Sequence, residues 1–230
     1  MNGNLGFMGF WSDIDQDYQL RYQEWHNCEH IPERLGIPGF IEGRRYRGAP
    51  GGPNFFMCYI TAGPEVLRSE AYLSALNRPT PWTKEALTHF RNPTRTLYRK
   101  LRAVRSEGGY APYVLLLRFD DERPAEVLEN QVVEALSGTG SAAVSGGLYE
   151  VDAEASGIMT AERRIYSGGP GSQRYLIAVE ALDRAQAEAV AEHVERRLSP
   201  GIHDLDRSIY WLETRIRAED LRGPARKDVQ

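Results

Sequence analysis

Cysteine is scarce, with only Cys28 and Cys58 among 230 residues. That number excludes a disulfide framework, and the spacing fits no zinc motif. Cys28 falls in a helical pattern and Cys58 in an apolar strand, so both are expected to be reduced core thiols. Long apolar runs are missing too. None approaches the roughly 20 residues a membrane helix needs, so no membrane partner is expected. No block of like charge stands out. Lys and Arg number 28 against 32 Asp and Glu, for a net charge of −4. Arg44-Arg45, Arg163-Arg164 and Arg196-Arg197 are scattered among acids, which leaves no footprint for nucleic acid. The start of the chain lacks a basic segment before an apolar one, so no signal peptide is expected and the chain reads as cytoplasmic. The glycine pairs Gly51-Gly52, Gly108-Gly109, Gly146-Gly147 and Gly168-Gly169 fall in turns or strand starts. None precedes a helix as a phosphate loop must, so no nucleotide cofactor is expected.

What the chain does hold is a repeated order of elements. Leu5–Trp11 reads as a strand and Asp15–Leu35 as a helix with Trp25, Cys28, Ile31 and Leu35 on its apolar stripe. Phe40–Arg47 and Asn54–Thr61 are predicted strands around the Gly48–Pro53 turn. Pro64–Leu76 and Thr80–Phe90 are helical pieces parted by Pro79, and Thr94–Val104 is an alternating strand. After Ser106–Ala111, a linker by composition, the series restarts. Tyr113–Phe119 is a strand and Pro124–Leu136 a helix. Ala142–Val151, Met159–Tyr166 and Arg174–Ala181 are strands, with the last two expected to pair. Asp183–Leu198 is a helix and Ser208–Arg217 a final strand. The pattern therefore predicts an α+β chain of two split βαβ units. These are a first repeat over 1–105, a linker over 106–111, a second repeat over 112–220 and a polar tail over 221–230. Each unit leaves one sheet face bare, and each can cover the other's.

The segment Tyr22–Tyr46 (YQEWHNCEHIPERLGIPGFIEGRRY) resembles the EthD-like branch of the dimeric α+β barrel superfamily. Trp25, His30, Pro38-Gly39-Phe40 and Arg45-Tyr46 carry the likeness, and Ser69–Leu73 and Asn77–Trp82 extend it across roughly the first 100 residues. It implies a ferredoxin-like unit of a dimeric α+β barrel, and the second half, which matches only in its order of elements, is expected to supply the other unit, giving tandem ferredoxin-like repeats that form the barrel within one chain. The superfamily includes lactone isomerases, polyketide cyclases, cofactor-free monooxygenases and heme enzymes, so the fold alone does not choose an activity.

The first helix sets Tyr22, His26, Glu29, His30 and Glu33 on one broad face. Two histidines beside carboxylates can move protons near neutral pH. These residues point to a cofactor-independent lyase or isomerase acting on a small cyclic or aromatic carbonyl compound. His30 is the expected acid or base, with His26 or Glu29 orienting it. Arg45 is expected to meet the developing enolate, and Tyr22, Trp25 and Trp82 to line the pocket. His26–His30 also fits H-x-x-E-H. No third ligand is marked, so no metal is expected. A non-enzymatic small-molecule binding or accessory protein is one alternative. A heme enzyme using His193 is the other, implied by tandem heme members of the superfamily. A homodimer is left open.

Overall fold

The structure, a computed structural model, describes residues 4–49, 52–105 and 110–221. Most of the expected linker, the middle of the Gly48–Pro53 turn and nearly all of the polar tail lie outside the described residues. The first half runs β1 (Gly6–Ile14), α1 (Gln19–Trp25), α2 (Ile31–Leu35), β2 (Phe40–Gly48), β3 (Phe55–Thr61), α3 (Glu70–Asn77), α4 (Pro81–Leu87) and β4 (Phe90–Arg105). The second runs β5 (Tyr113–Asp121), α5 (Ala125–Ser137), β6 (Ser145–Val151), α6 (Ala153–Gly157), α7 (Ala161–Tyr166), β7 (Tyr175–Ala181), α8 (Arg184–Leu198), β8 (Ile202–Arg217) and α9 (Ala218–Leu221).

Eight strands close into one barrel in the order β1-β3-β2-β8-β5-β7-β6-β4. The first half supplies β4-β1-β3-β2 and the second β8-β5-β7-β6, all antiparallel. Two seams join them. Arg45 lies opposite Thr214 across β2–β8, and Tyr98 opposite Val151 across β4–β6. Closure removes the open edges each half would otherwise present. This is the tandem dimeric α+β barrel architecture.

The two-residue period of the strands sorts side chains into two layers. Phe7, Trp11, Tyr46, Phe56, Cys58, Tyr98, Leu116, Leu176 and Tyr210 point into the barrel lumen. Met8, Phe10, Phe55, Met57, Tyr59 and Leu97 point outward, under α1–α4. Leu115, Leu117, Phe119, Ile177 and Val179 do the same under α5 and α8. Burying each such side chain stabilises the fold by about 1.5–3 kcal/mol. Gly43 governs how closely the first helix approaches the sheet. A Cβ there would lie 2.8 Å from the Tyr59 ring and 3.0 Å from Ile31. Its absence lets α2 sit close on the sheet and lets Tyr59 reach sideways beneath it.

The segment expected as a strand over Met159–Tyr166 is instead helix α7, and β6 pairs directly with β7. Thr160 caps the helix by accepting the Arg163 N–H at 3.3 Å. Glu162 and Tyr166, four apart, share its buried face. The alternation of MTAERRIY is equally a four-residue spacing, and the capping threonine decides between them. This excursion is long enough to leave the second half altogether, and α7 packs against α3 and α4 of the first. Cys28 is a second correction: it is exposed on the outer side of the first helix, while Cys58 is buried. None of the described helices is long and apolar enough to cross a membrane.

Candidate active site

The first helix is one continuous rod with a wider turn at its centre. The Ile31 N–H reaches back five residues to the His26 carbonyl. Such a π-turn inserts a residue into the helical register. Here it falls on His26–His30 and turns both imidazoles toward the sheet. His26 is fully buried and His30 is 8% exposed, with ring centroids 5.8 Å apart.

His26 sits behind the site. Its Nδ1 lies 3.3 Å from Nη1 of Arg45. A guanidinium only donates, so Nδ1 accepts and the ring proton is on Nε2. That nitrogen lies 3.5 Å from the Tyr59 hydroxyl. Arg45 is held by Glu213 at 2.9 Å, Asn27 Oδ1 at 2.7 Å and Thr214 at 3.3 Å. Glu213, which also accepts from Arg47 and Gln23, has its carboxyl held below the usual range by these bonds despite burial. Arg45, His26 and Tyr59 thus form a relay whose Tyr59 end faces the cavity.

His30 faces the cavity directly. Its ring packs on Trp25, centroids 4.3 Å apart, and its Nδ1 is buried with no hydrogen-bond partner. Around it stand Arg34, Arg95, Tyr59, Tyr72, Glu162, Tyr166 and apolar walls from Met8, Phe10, Met57 and Phe90. Arg34 forms a buried ion pair with Glu162 and lies 3.2 Å from Glu33. Arg95 donates to the Tyr72 hydroxyl at 2.9 Å, and no carboxylate among the described residues lies within ion-pair distance of it. Both guanidiniums lie over the Tyr72 ring, at 6.0 and 5.8 Å. Two buried cations thus converge on a space that holds one buried carboxylate. Burial pushes the Glu162 carboxyl up, partly offset by Arg34. Burial also drives both histidines well below the ordinary imidazole value, helped by Arg45 and Arg34 at His26 and by Arg34 and His26 at His30. Both are neutral at pH 7.

The other sequence-derived candidates lie around this centre. Trp25 lines the cavity, and its indole N–H donates to Thr83 Oγ1 at 3.2 Å. Glu29 accepts from Thr80 and Thr83 at the start of α4 and so ties α4 to the first helix. Tyr22 is fully buried one turn before His26, against Phe55 and Phe90, and is not part of the cavity wall. Trp82 lies outside it with the Arg21 guanidinium 4.3 Å above its ring. The residues missed by sequence reasoning are Arg34, Arg95, Tyr72, Glu162 and Tyr166. Arg34 had a signal, since Tyr22, His26, His30 and Arg34 recur every four residues. Arg95 had one as well, as a cation on the face of β4 that also carries Leu97.

No family model matches the chain, and no curated protein matches it. Solved structures do. An anthrone oxidase-like protein superposes with a TM-score of 0.64 at 8% identity, covering 94% of each chain. A candidate monooxygenase from Fusobacterium nucleatum gives 0.60 at 8% identity, covering 94% of this chain and 96% of that one. A heme-binding protein from Thermus thermophilus gives 0.56 at 10% identity, covering 95% and 94%. The shared fold is therefore the dimeric α+β barrel, the fold that the Tyr22–Tyr46 resemblance implied.

The heme-binding neighbour invites a test of fit. His193 has a buried Nε2 without a partner, but a Cβ on Gly138 would lie only 3.0 Å from it. Beneath α8 the core is filled by Leu128, Val132, Val190 and Val194. The His30 ring is covered by Trp25, and the cavity beside it has a free volume of about 30 Å³. Neither histidine faces room for a porphyrin.

Proposed function

We propose that this chain is a cofactor-independent enzyme that binds a small cyclic or aromatic carbonyl compound under the first helix and turns it over as its enolate or phenolate. One observation carries the reading. Arg95 and Arg34 converge with the unpartnered Nδ1 of His30 on a buried space that contains a single acid, Glu162. Two buried cations that share one carboxylate favour an anionic ligand. Neutral His30 accepts a proton from the carbon next to the carbonyl, and the charge that develops on oxygen is met by Arg95 and Arg34. Tyr59, backed by His26 and Arg45, supplies a further hydroxyl donor.

The lyase or isomerase outcome expected from sequence has no support among the structural neighbours. Those named for oxygenase chemistry favour passing the enolate's electrons to dioxygen. The cavity as it stands holds about a water molecule. Substrate binding therefore requires α6–α7, which carries Glu162, to move aside. The test is dioxygen uptake with an anthrone as substrate, followed in parallel by the absorbance of the product. Uptake above the uncatalysed rate, lost in His30→Ala, is expected. Absence of both uptake and anthrone binding would sink the proposal. A visible spectrum of the purified protein with a Soret band would favour the heme alternative instead.

A further inference from the structure

The lumen of the barrel is filled at one end and vacant at the other. An eight-stranded barrel is just wide enough for its side chains or for one small ligand. At the filled end Trp11, Tyr46 and Tyr210 surround Phe56, with centroids 4.9, 5.6 and 5.5 Å from it. Gly9 makes this possible, because a Cβ there would come within 2.6 Å of the Trp11 ring. One layer further along, the lumen positions are small: Cys58 on β3, Ser145 on β6 and Ala178 on β7. They leave a cavity of about 120 Å³, walled by the Phe7 and Tyr149 rings, whose centroids are 5.0 Å apart. That is close to the size of an apolar cavity of about 150 Å³ known to take up benzene. Ala178 and Ser145 are only half-buried, so among the described residues the cavity is open at their end.

The electrostatics of this space differ from those under the first helix. Arg44 is the lumen's central cation, and it is fully engaged. It pairs with Glu42 and Glu180 and donates to the Tyr46 hydroxyl at 3.0 Å. Glu180 also accepts the Ala111 N–H at 2.7 Å. Glu42 has Arg215 as a second partner. An anion would find Arg44 already held by its carboxylates and would face Glu180, while Lys100, the other cation of the wall, stands over the Tyr149 ring with its ammonium 6.0 Å from the centroid. A neutral molecule with a hydroxyl donor would find acceptor capacity on the same carboxylate, which has about four lone-pair sites.

We propose that this lumenal cavity is a second ligand site, for a neutral single-ring aromatic molecule bearing one hydroxyl, with the ring against Phe7 and Tyr149 and the hydroxyl donating to Glu180. The site is separate from the His30 pocket and lies on the opposite face of the same sheet.

Phenol is the probe. Titrated into the full chain and followed by calorimetry, it should bind with a Kd on the order of a millimolar or tighter, which is within reach for so small a ligand. Nuclear Overhauser contacts from the phenol ring should fall on Phe7 and Tyr149. Ala178→Leu fills the cavity and should weaken phenol at least about tenfold, while His30→Ala should leave it unchanged. Benzoate, the same ring bearing a charge, should bind at least about tenfold more weakly than phenol. Four results would each overturn the proposal: no phenol binding, contacts confined to Trp25 and Phe10 under the first helix, an Ala178→Leu variant that binds as well as the parent, or benzoate binding equal to phenol. The contact measurement on the unmodified protein stands even if Ala178→Leu does not fold.

Discussion

At the scale of single residues the cavity holds two arginines with opposite energetic positions. Arg34 has a carboxylate partner and Arg95 has none within ion-pair distance among the described residues. Removing one member of a buried pair leaves the other charge stranded, at a cost of about 3–5 kcal/mol. Arg34→Met should therefore lower the melting temperature clearly. Arg95→Met removes an unpaired buried charge, so it should leave the melting temperature unchanged or raise it while abolishing binding of an anionic substrate. Thermal melts of the two variants check this, and a marked drop for Arg95→Met would assign that residue a structural role. His30→Ala should reduce turnover by about a hundredfold, the range for a lost acid–base group. It should also cost some stability, because the ring is packed on Trp25 rather than free in a roomy pocket. The depressed histidines make a pH prediction as well. Unfolding lets His26 and His30 return to the ordinary value near 6.5, so the unfolded chain binds more protons below that pH. Their contribution is complete above about pH 6.5 and is lost as pH falls toward the depressed folded values, at up to about 1.4 kcal/mol per pH unit for each. Denaturation between pH 5 and 6.5 should show a shallower slope in His26→Gln, and an unchanged slope would mean that His26 is already charged in the folded protein.

At the scale of elements, α6–α7 is the piece that moves in the proposed cycle. It belongs to the second half of the chain yet roofs a cavity in the first. Its anchors inside are the Arg34–Glu162 pair, the Tyr166 ring 5.2 Å from that of Phe10 and the Ser156 hydroxyl accepting the Leu97 N–H, with Arg68 to Asp152 and Glu154 on the surface. Exposed pairs contribute little, so among the ion pairs the buried one dominates. Glu162→Gln should therefore raise amide hydrogen exchange over 153–166 while β5 and β7 stay protected. Uniform exchange across the molecule would show that Glu162 stabilises the fold as a whole and does not latch the roof. The same element shows where element-level reading from sequence falls short. Met159–Tyr166 alternates well enough for a strand, and a strand there would have been a fifth in the second half, between β6 and β7. The capping bond of Thr160 and the docking of Glu162 and Tyr166 on the first half select the helix instead. No local pattern reports that distant contact.

At the scale of the whole molecule, each half supplies four strands of a barrel that has no free edge. A chain cut to residues 1–105 would expose β2 and β4 along their length, together with the aromatic face of Phe7, Trp11, Phe56 and Tyr98. We expect that fragment to associate into a two-chain barrel or to aggregate, as size-exclusion chromatography would reveal. A stable monomer would show that the first half folds without cover. Closure also explains why Glu213 and Thr214 of β8 are in contact with Arg45 of β2: the seam between the halves passes directly behind the first helix.

The order of elements, the alternation of strand residues and the helix over Asp15–Leu35 come from local pattern, because period and capping act between near neighbours. So does the line Tyr22, His26, His30 and Arg34 along that helix. Which of these would face the cavity was not local. The π-turn and the cleft left by Gly43 bring Tyr59 between His26 and the pocket, so Arg45 backs the site while Arg34 and Arg95 line it. Arg95 comes from the far edge strand of the first half, and Glu162 from the second half altogether. Charges that meet across a barrel are paired by packing and closure, and spacing along the chain does not encode them.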